Sequence, residues 1–136
     1  RKPYYVATTV QRPDVRLATI RAALEEAREA GAQVVLFPEL AVCPEHRRYI
    51  INWLNNEPNP FVLVVPGSFH EDFGHRPRRP YTQRRNRTCL LSGTGRLILE
   101  QDKLVPIVVD NILVAGASRS EQDKLVFEGV GCYQYY

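Results

Sequence analysis

The apolar run Val34-Val35-Leu36-Phe37, ended at once by Pro38, is the feature that most constrains how this chain folds. Consecutive apolar residues without polar alternation are typical of a strand buried on both faces, which requires a sheet covered by other layers. Pro38 has no N–H for a ladder, so the strand ends there. Glu39 then lies at the rim of the core, where partial burial is expected to raise the pKa of its carboxyl toward the range of a general base. A solvated glutamate at an ordinary strand end explains the same spacing.

Helical signals come before this strand. Residues 4–10 are rich in β-branched and aromatic side chains and predict a first strand. Pro13-Asp14 predicts a helix start with Asp14 as its N-cap, and Gly31 is well suited to the position just after the helix. Because a strand, a helix and a strand follow one another with short links, we expect the strands at 4–10 and 34–37 to be parallel.

The rest of the chain predicts a second such unit and then antiparallel pairing. A helix from Pro44 to Asn55 precedes an apolar strand from Phe61 to Val65. Arg87 to Ser92 and Arg96 to Gln101 predict a hairpin around Gly93-Thr94-Gly95. Segment 107–115 is apolar and ambiguous, and segment 125–136 predicts final strands. The order indicates one layered domain of the α/β or α+β class.

Length and composition bound the function classes. The 136 residues are enough for one domain, and their 44% hydrophobic and 24% charged content is that of an ordinary globular protein. No apolar stretch is long enough to span a membrane, and there is no signal-peptide pattern. Three widely spaced cysteines disfavour a disulfide scaffold and indicate a reducing, cytoplasmic compartment. Cys43 and His46 form a C-x-x-H pair, but no second pair completes a zinc site, so we expect no metal. The absence of methionine indicates a processed product or part of a longer protein.

The segment from His75 to Arg87 holds six arginines and no acid, and we expect it to be a loop. Arginine suits bidentate contact with phosphate, so Arg78, Arg79, Arg84 and Arg85 are candidates for binding phosphate or nucleic acid. The same side chains could instead gate an anionic substrate, pack against acidic residues of another domain, or be solvated. The net charge of +3 argues against a chain that is chiefly a nucleic-acid binder.

Three residue types next to predicted strand ends point to nucleophilic catalysis. A cysteine needs its thiolate to act, and a nearby base and cation favour that thiolate. Glu39, Lys103 and Cys132 would supply the base, the cation and the nucleophile for acyl transfer, with the lysine also stabilising an oxyanion. The competing interpretations are a solvated lysine at a hairpin end and a small buried cysteine.

Several segments in order resemble the nitrilase family, the carbon–nitrogen hydrolases. Phe37-Pro38-Glu39-Leu40 would occur by chance in a chain of this length roughly one time in a thousand. The later matches are the following: Val65-Pro66-Gly67-Ser68, Arg85 to Leu91 with the hairpin Gly93 to Leu97, and Lys103-Leu104-Val105-Pro106.

This resemblance implies a nitrilase-like αββα sandwich. It also implies hydrolysis of a nitrile, amide or carbamoyl C–N bond through a Glu-Lys-Cys triad without a cofactor. Glu39 resembles the general base, Lys103 the lysine that stabilises the tetrahedral intermediate, and Cys132, in Gly131-Cys132-Tyr133, the nucleophile. The segment before Cys132 is less apolar than the family pattern, and no Pro-Glu follows it. The resemblance covers about the first half of a family domain, so residues 1–136 are expected to be an incomplete or shortened version. A homo-oligomer and a small amide or nitrile substrate are further expectations from the family.

A second hypothesis belongs to a different class. The chain would be a non-catalytic nitrilase-like module of a larger protein that handles nucleic acid, such as a reverse transcriptase of a defence system. Its binding surface would be the arginine-rich segment 76–87. Salt-dependent binding of nucleic acid would distinguish it from the hydrolase.

Overall fold

The computed structural model describes residues 4–5, 7, 10–73, 83–103, 108–109 and 126–128. Within these residues the chain forms helices and mixed sheets, which confirms the predicted α/β class. In chain order the elements are β1 (Tyr4–Tyr5), α1 (Pro13–Glu29), β2 (Val34–Leu36), α2 (Pro44–Asn56), β3 (Leu63–Val65), β4 (Ser68–Phe73), β5 (Gln83–Ser92), β6 (Leu97–Asp102), β7 (Val108–Val109) and β8 (Val126–Glu128).

The larger sheet is built around β5. Strands β2 and β3 are parallel and are connected through α2, as a strand-helix-strand unit requires. Strands β3 and β4 run antiparallel to successive parts of one edge of β5, and β6 runs antiparallel along its other edge. The β5–β6 pair confirms the hairpin around Gly93-Thr94-Gly95. This arrangement brings the end of β2, the start of β4 and the end of β6 to the middle of β5.

The predicted loop through the arginine-rich segment is wrong at its end, because β5 begins at Gln83. Arg84, Arg85 and Asn86 pair with Asp72, Glu71 and His70 of β4. The first residues of this strand are polar or charged and do not alternate between polar and apolar, so the sequence gives no strand signal there. Its backbone pairing with β4 is a long-range interaction that local propensity does not report.

Within the described residues, the first two strands lie in different sheets and do not form the strand-helix-strand unit that the sequence predicts. Strand β1 pairs in parallel with β8, which pairs antiparallel with β7, in a separate three-stranded sheet. Short links show only that these strands are neighbours along the chain. They do not decide which strand becomes the neighbour in the sheet.

Helix α1 shows one correct and one wrong capping prediction. Asp14 is not the N-cap: that position is Arg12, with φ 49°, and Asp14 lies in the first turn after Pro13. There its carboxylate still complements the positive end of the helix dipole. At the other end Gly31 has φ +67°, and its amide donates to the carbonyl of Arg28 at 3.0 Å. Gly31 therefore ends the helix as predicted.

The core lies between the two helices and one face of the larger sheet. Its fully or nearly fully buried members are Ile20, Leu24, Val35, Val42, Ile50, Trp53, Leu54, Phe61, Val64, Cys89 and Leu91. Val34 and Leu36 have the opposite orientation in β2 and are 52% and 68% exposed. The prediction of burial on both faces is therefore wrong for β2 in this chain, because α1 and α2 cover only one face. Among the described residues, no helix combines the length and apolar character that a membrane span needs.

Candidate active site

Glu39 lies in a turn that begins where β2 ends. The amide of Phe37 still donates to β3 (2.9 Å), so the chain leaves the sheet only at Pro38. Leu40 then has a left-handed backbone with φ 59°, and its amide donates to the carbonyl of Ser68 at 2.7 Å. Such a conformation costs a non-glycine residue about 1–2 kcal/mol. The contacts to β3 and β4 hold this turn, and they hold Glu39 with it.

Gly67, between β3 and β4, presses directly on this turn. It has φ +78°, and a Cβ at this position would lie 2.2 Å from the carbonyl oxygen of Pro38 and 2.9 Å from that of Phe37. Only glycine fits both the conformation and the space. The hydroxyl of Thr88 donates to the Gly67 carbonyl at 2.9 Å, which ties this contact to β5. The backbone next to Glu39 is therefore packed against the sheet without a side chain between.

Three hydrogen-bond donors meet on one oxygen of Glu39. Oε1 accepts from Lys103 Nζ at 2.7 Å, from Asn86 Nδ2 at 2.7 Å and from Ser68 Oγ at 3.3 Å. The amide of Lys103 also donates to the carbonyl of Asn86 at 2.7 Å, so β5 fixes the start of the segment after β6. Within the described part of the chain, no donor is found on the other oxygen, Oε2. The side chain of Glu39 as a whole remains 38% exposed.

The pKa of Glu39 is lowered, which contradicts the prediction from its partial burial. Burial does raise the pKa of this carboxyl, and it is the largest single effect. The hydrogen bonds from Lys103, Asn86 and Ser68, together with the positive charge of Lys103, lower the pKa by more in sum. Glu39 is therefore an ionised carboxylate at neutral pH, and it can accept a proton without first having to lose one.

Ion pairs on the same strands fix the end of β6 next to Lys103. Asp102 accepts from Arg87 Nε at 2.6 Å and from Arg85 Nη1 at 2.9 Å. The hydrogen bond from Arg87 is the main reason that the pKa of Asp102 is lowered. A further ion pair joins Arg47 of α2 to Glu71 of β4. These pairs hold β4, β5 and β6 in register around the site.

These contacts also bear on the hypothesis that the arginine-rich segment binds nucleic acid. Arg78 and Arg79 lie outside the described residues, and Arg84 lies in β5. Arg85 is ion-paired with Asp102, so its charge is balanced by a neighbouring strand. The described part of the proposed surface therefore gives no support to phosphate binding.

Cys132 lies outside the described residues. The other two cysteines are poor candidates for a nucleophile, because Cys43 is 5% exposed and Cys89 is 2% exposed. Burial is the main reason that the pKa of each of these thiols is raised, which disfavours the thiolate. Cys43 is the N-cap of α2, and His46 lies in the first turn of that helix. Across the residues that the structure describes, no group of three or more His, Cys, Asp or Glu side chains could hold a metal ion.

No role was predicted from the sequence for Asn86 or Ser68. Asn86 carries a signal that could have been used, because asparagine is unfavourable inside a strand and usually has a specific hydrogen-bonding reason to be there. Ser68 carries no comparable signal, since serine after a glycine is common at strand ends.

Comparison with known proteins supports the fold. Neither models of protein families nor curated protein sequences gave a significant match. Solved structures of an amidase from Nesterenkonia sp. AN1 do match. One, with the acetamide moiety of fluoroacetamide added covalently at the active-site cysteine, has a TM-score of 0.52 and 18% identity over 79% of this chain and 49% of that chain. A complex with butyramide has a TM-score of 0.50 and 17% identity over 80% of this chain and 49% of that chain. A complex with acrylamide has a TM-score of 0.50 and 17% identity over 97% of this chain and 47% of that chain.

The fold is nitrilase-like. The chain spans about half the length of the amidase chains that it matches. The predicted fold class is thereby confirmed, and the predicted coverage of half a domain agrees with the length of the match.

Proposed function

We propose that this chain carries the site of a carbon–nitrogen hydrolase that cleaves small amides. Glu39 is the general base, Lys103 stabilises the tetrahedral intermediate, and Cys132 is the nucleophile. The observation that supports this best is the 2.7 Å contact between Lys103 Nζ and Glu39 Oε1, made by residues 64 positions apart in the sequence. The nitrilase-like fold and the small amides bound by the amidase of similar structure favour the same class of reaction.

In the first half of the reaction Glu39 accepts the proton of the Cys132 thiol on Oε2. The sulfur forms a bond to the amide carbon, and the C=O π electrons move to the oxygen. Lys103 stabilises this oxyanion through its positive charge and a hydrogen bond. When the C–N bond breaks, the nitrogen takes the proton from Glu39 and leaves as ammonia, and a thioester remains on Cys132.

In the second half water releases the acid. Water gives a proton to Glu39 while its oxygen attacks the thioester carbon, again with Lys103 beside the oxyanion. The C–S bond then breaks, the acid leaves, and Cys132 recovers its proton from Glu39. The overall reaction consumes one amide and one water and forms one acid and one ammonia.

The resting contact between Lys103 and Glu39 couples these steps. While Lys103 donates to Glu39, the pKa of that carboxyl is held down. A developing oxyanion competes for the same ammonium group. As Lys103 turns toward the oxyanion, Glu39 loses a stabilising donor and becomes a stronger base at the time it must hold the thiol proton.

The test measures ammonia release by the full chain from acetamide, butyramide and acrylamide, with a nitrile and a carbamoyl compound as comparators. Cys132→Ala and Lys103→Met are each expected to abolish release while the circular dichroism spectrum stays unchanged. Cys89→Ala is the matched cysteine control, since that thiol is buried in the core, and it is expected to retain turnover in the folded fraction.

Fluoroacetamide gives a second readout that needs no turnover. The Cys132 thiolate of the wild-type chain is expected to displace fluoride, so that a C–S bond to the acetamide moiety forms as the C–F bond breaks. Mass spectrometry of the digested protein locates the added group. Full ammonia release by the Cys132 variant would overturn the assignment of the nucleophile. A folded wild-type chain that neither takes the label nor releases ammonia would overturn the hydrolase proposal and leave the non-catalytic module.

A further inference from the structure

Asn86 contacts both charged residues of the candidate site through different atoms. Its side-chain amide donates to Glu39 Oε1 at 2.7 Å, and its backbone carbonyl accepts from the amide of Lys103 at 2.7 Å. The residue is completely buried, at 0% exposure, in the interior of β5. One buried residue of a central strand therefore sets the position of Glu39 relative to Lys103.

The direction of the side-chain hydrogen bond follows from its chemistry. The ionised carboxylate of Glu39 can only accept, so the NH₂ group of Asn86 faces it. A hydrogen bond from a buried donor to a charged acceptor is among the stronger ones in proteins. The bond from Ser68 is longer, at 3.3 Å, and is exposed to solvent. Asn86 is therefore the main uncharged support of the ionised Glu39.

A purely structural role does not account for this placement. A buried strand position that served packing alone would be filled by an apolar residue, which carries no polar group to satisfy. Thr88, two residues further along β5, shows the structural alternative, because its hydroxyl donates to the backbone carbonyl of Gly67. The Asn86 amide is instead directed at a carboxylate whose side chain is 38% exposed.

We propose that Asn86 is a positioning residue of the amidase site. It holds Oε1 of Glu39 on the sheet with a hydrogen bond to the ionised carboxylate, so that Oε2 is the oxygen that accepts the proton. The inference rests on the proposed function for its catalytic meaning. The support of the Glu39 charge can be measured without any reaction.

The experiment follows the ¹³C signal of the Glu39 carboxyl by NMR during a pH titration of the full chain. Asn86→Leu keeps the backbone carbonyl that Lys103 contacts and removes the side-chain amide that donates to Glu39. The pKa of Glu39 is expected to rise in this variant, because burial is then opposed by fewer hydrogen bonds. Ser68→Ala is expected to raise the pKa by less. Thr88→Val, the matched control on the same strand, removes a hydrogen bond to the backbone of Gly67 and none to the Glu39 carboxylate, so it is expected to raise the pKa of Glu39 by less than Asn86→Leu does.

Kinetics supply the second readout. Asn86→Leu is expected to lower kcat about 10- to 100-fold with little change in KM, which is the size expected for loss of one hydrogen bond to a charged group. The acid limb of the pH–rate profile is expected to move to higher pH together with the NMR titration. Asn86→Ser, which is too short to reach Glu39, repeats the test with a smaller side chain.

The outcomes separate the two proposals. A folded Asn86→Leu variant with an unchanged Glu39 titration overturns the positioning role. Unfolding of both Asn86 variants also overturns it, because Asn86 is then a requirement of the fold. A raised Glu39 pKa in a chain that never releases ammonia overturns the proposed function, while the support of the Glu39 charge by Asn86 stands.

Discussion

Gly67→Ala should displace the turn that carries Glu39, although Gly67 does not touch the Glu39 side chain. The effect passes through the backbone of Pro38, which Gly67 contacts. The new Cβ would lie 2.2 Å from the carbonyl oxygen of Pro38, a separation that no real Cβ contact shows. Because the atom it meets is backbone, either the β3–β4 connection or the segment before Glu39 must move. Gly67 also has φ +78°, which disfavours alanine even without the contact.

The loss of unfolding free energy expected for Gly67→Ala has two parts. The left-handed backbone costs alanine about 1–2 kcal/mol, and overpacking against backbone adds about 1–3 kcal/mol. The sum, about 2–5 kcal/mol, is a large part of the stability of a small domain. Gly31→Ala is the matched control: Gly31 has φ +67°, but nothing lies within 4 Å of its Cβ position. Only the first part applies there, about 1–2 kcal/mol.

Urea unfolding of the two variants measures the difference. With a denaturant dependence of about 1–3 kcal/mol per molar, Gly67→Ala should move the midpoint to clearly lower urea than Gly31→Ala. The ¹³C signal of Glu39 should also shift in the first variant and stay constant in the second. Equal midpoints for the two variants would refute the close approach of Gly67 to Pro38, since the backbone conformation alone would then explain both.

Three further predictions concern charge and packing. Lys103→Met should raise the pKa of Glu39, because burial then acts without the ammonium group, and NMR titration measures this. The folded-state pKa values of Glu39 and Asp102 are lowered, so the unfolded chain binds more protons in acid, and unfolding free energy should fall as pH drops below about 4. Asp102→Asn should weaken that dependence in urea titrations at several pH values, and an unchanged slope would contradict the role of its arginine pairs. Leu24→Ala, at a fully buried position, should cost about 2–5 kcal/mol, whereas Val15→Ala on the exposed face should stay within about 0.5 kcal/mol.

Features decided by neighbouring residues could be predicted from the sequence. Pro13 begins α1 and Gly31 ends it, since both act through their own backbone restrictions within one turn. The hairpin after Ser92 follows from its turn residues. Glu39 and Lys103 were identified as candidates from the segments around them, and the structure brings them to 2.7 Å.

Features that depend on distant residues could not be predicted. The arginine-rich stretch at Arg84 and Arg85 becomes strand only because β4 pairs with it. Strand β1 finds β8 rather than β2, and Val34 and Leu36 stay exposed because the described helices cover one face of the sheet. Each of these outcomes rests on a contact between segments that are far apart in the chain.

The sequence alone determined that the helices and apolar strands form, that Gly31 ends α1, and that a glutamate follows β2, because these depend on local backbone preference and side-chain polarity. Only the tertiary structure decided the direction in which the pKa of Glu39 shifts. Its partial burial, which the sequence predicts, raises the pKa. Donors from β5 and from the residue after β6 lower the pKa by a larger amount in sum. Hydrogen bonds to a charge act over about 3 Å. Their net effect therefore depends on which distant residues the fold brings to that oxygen.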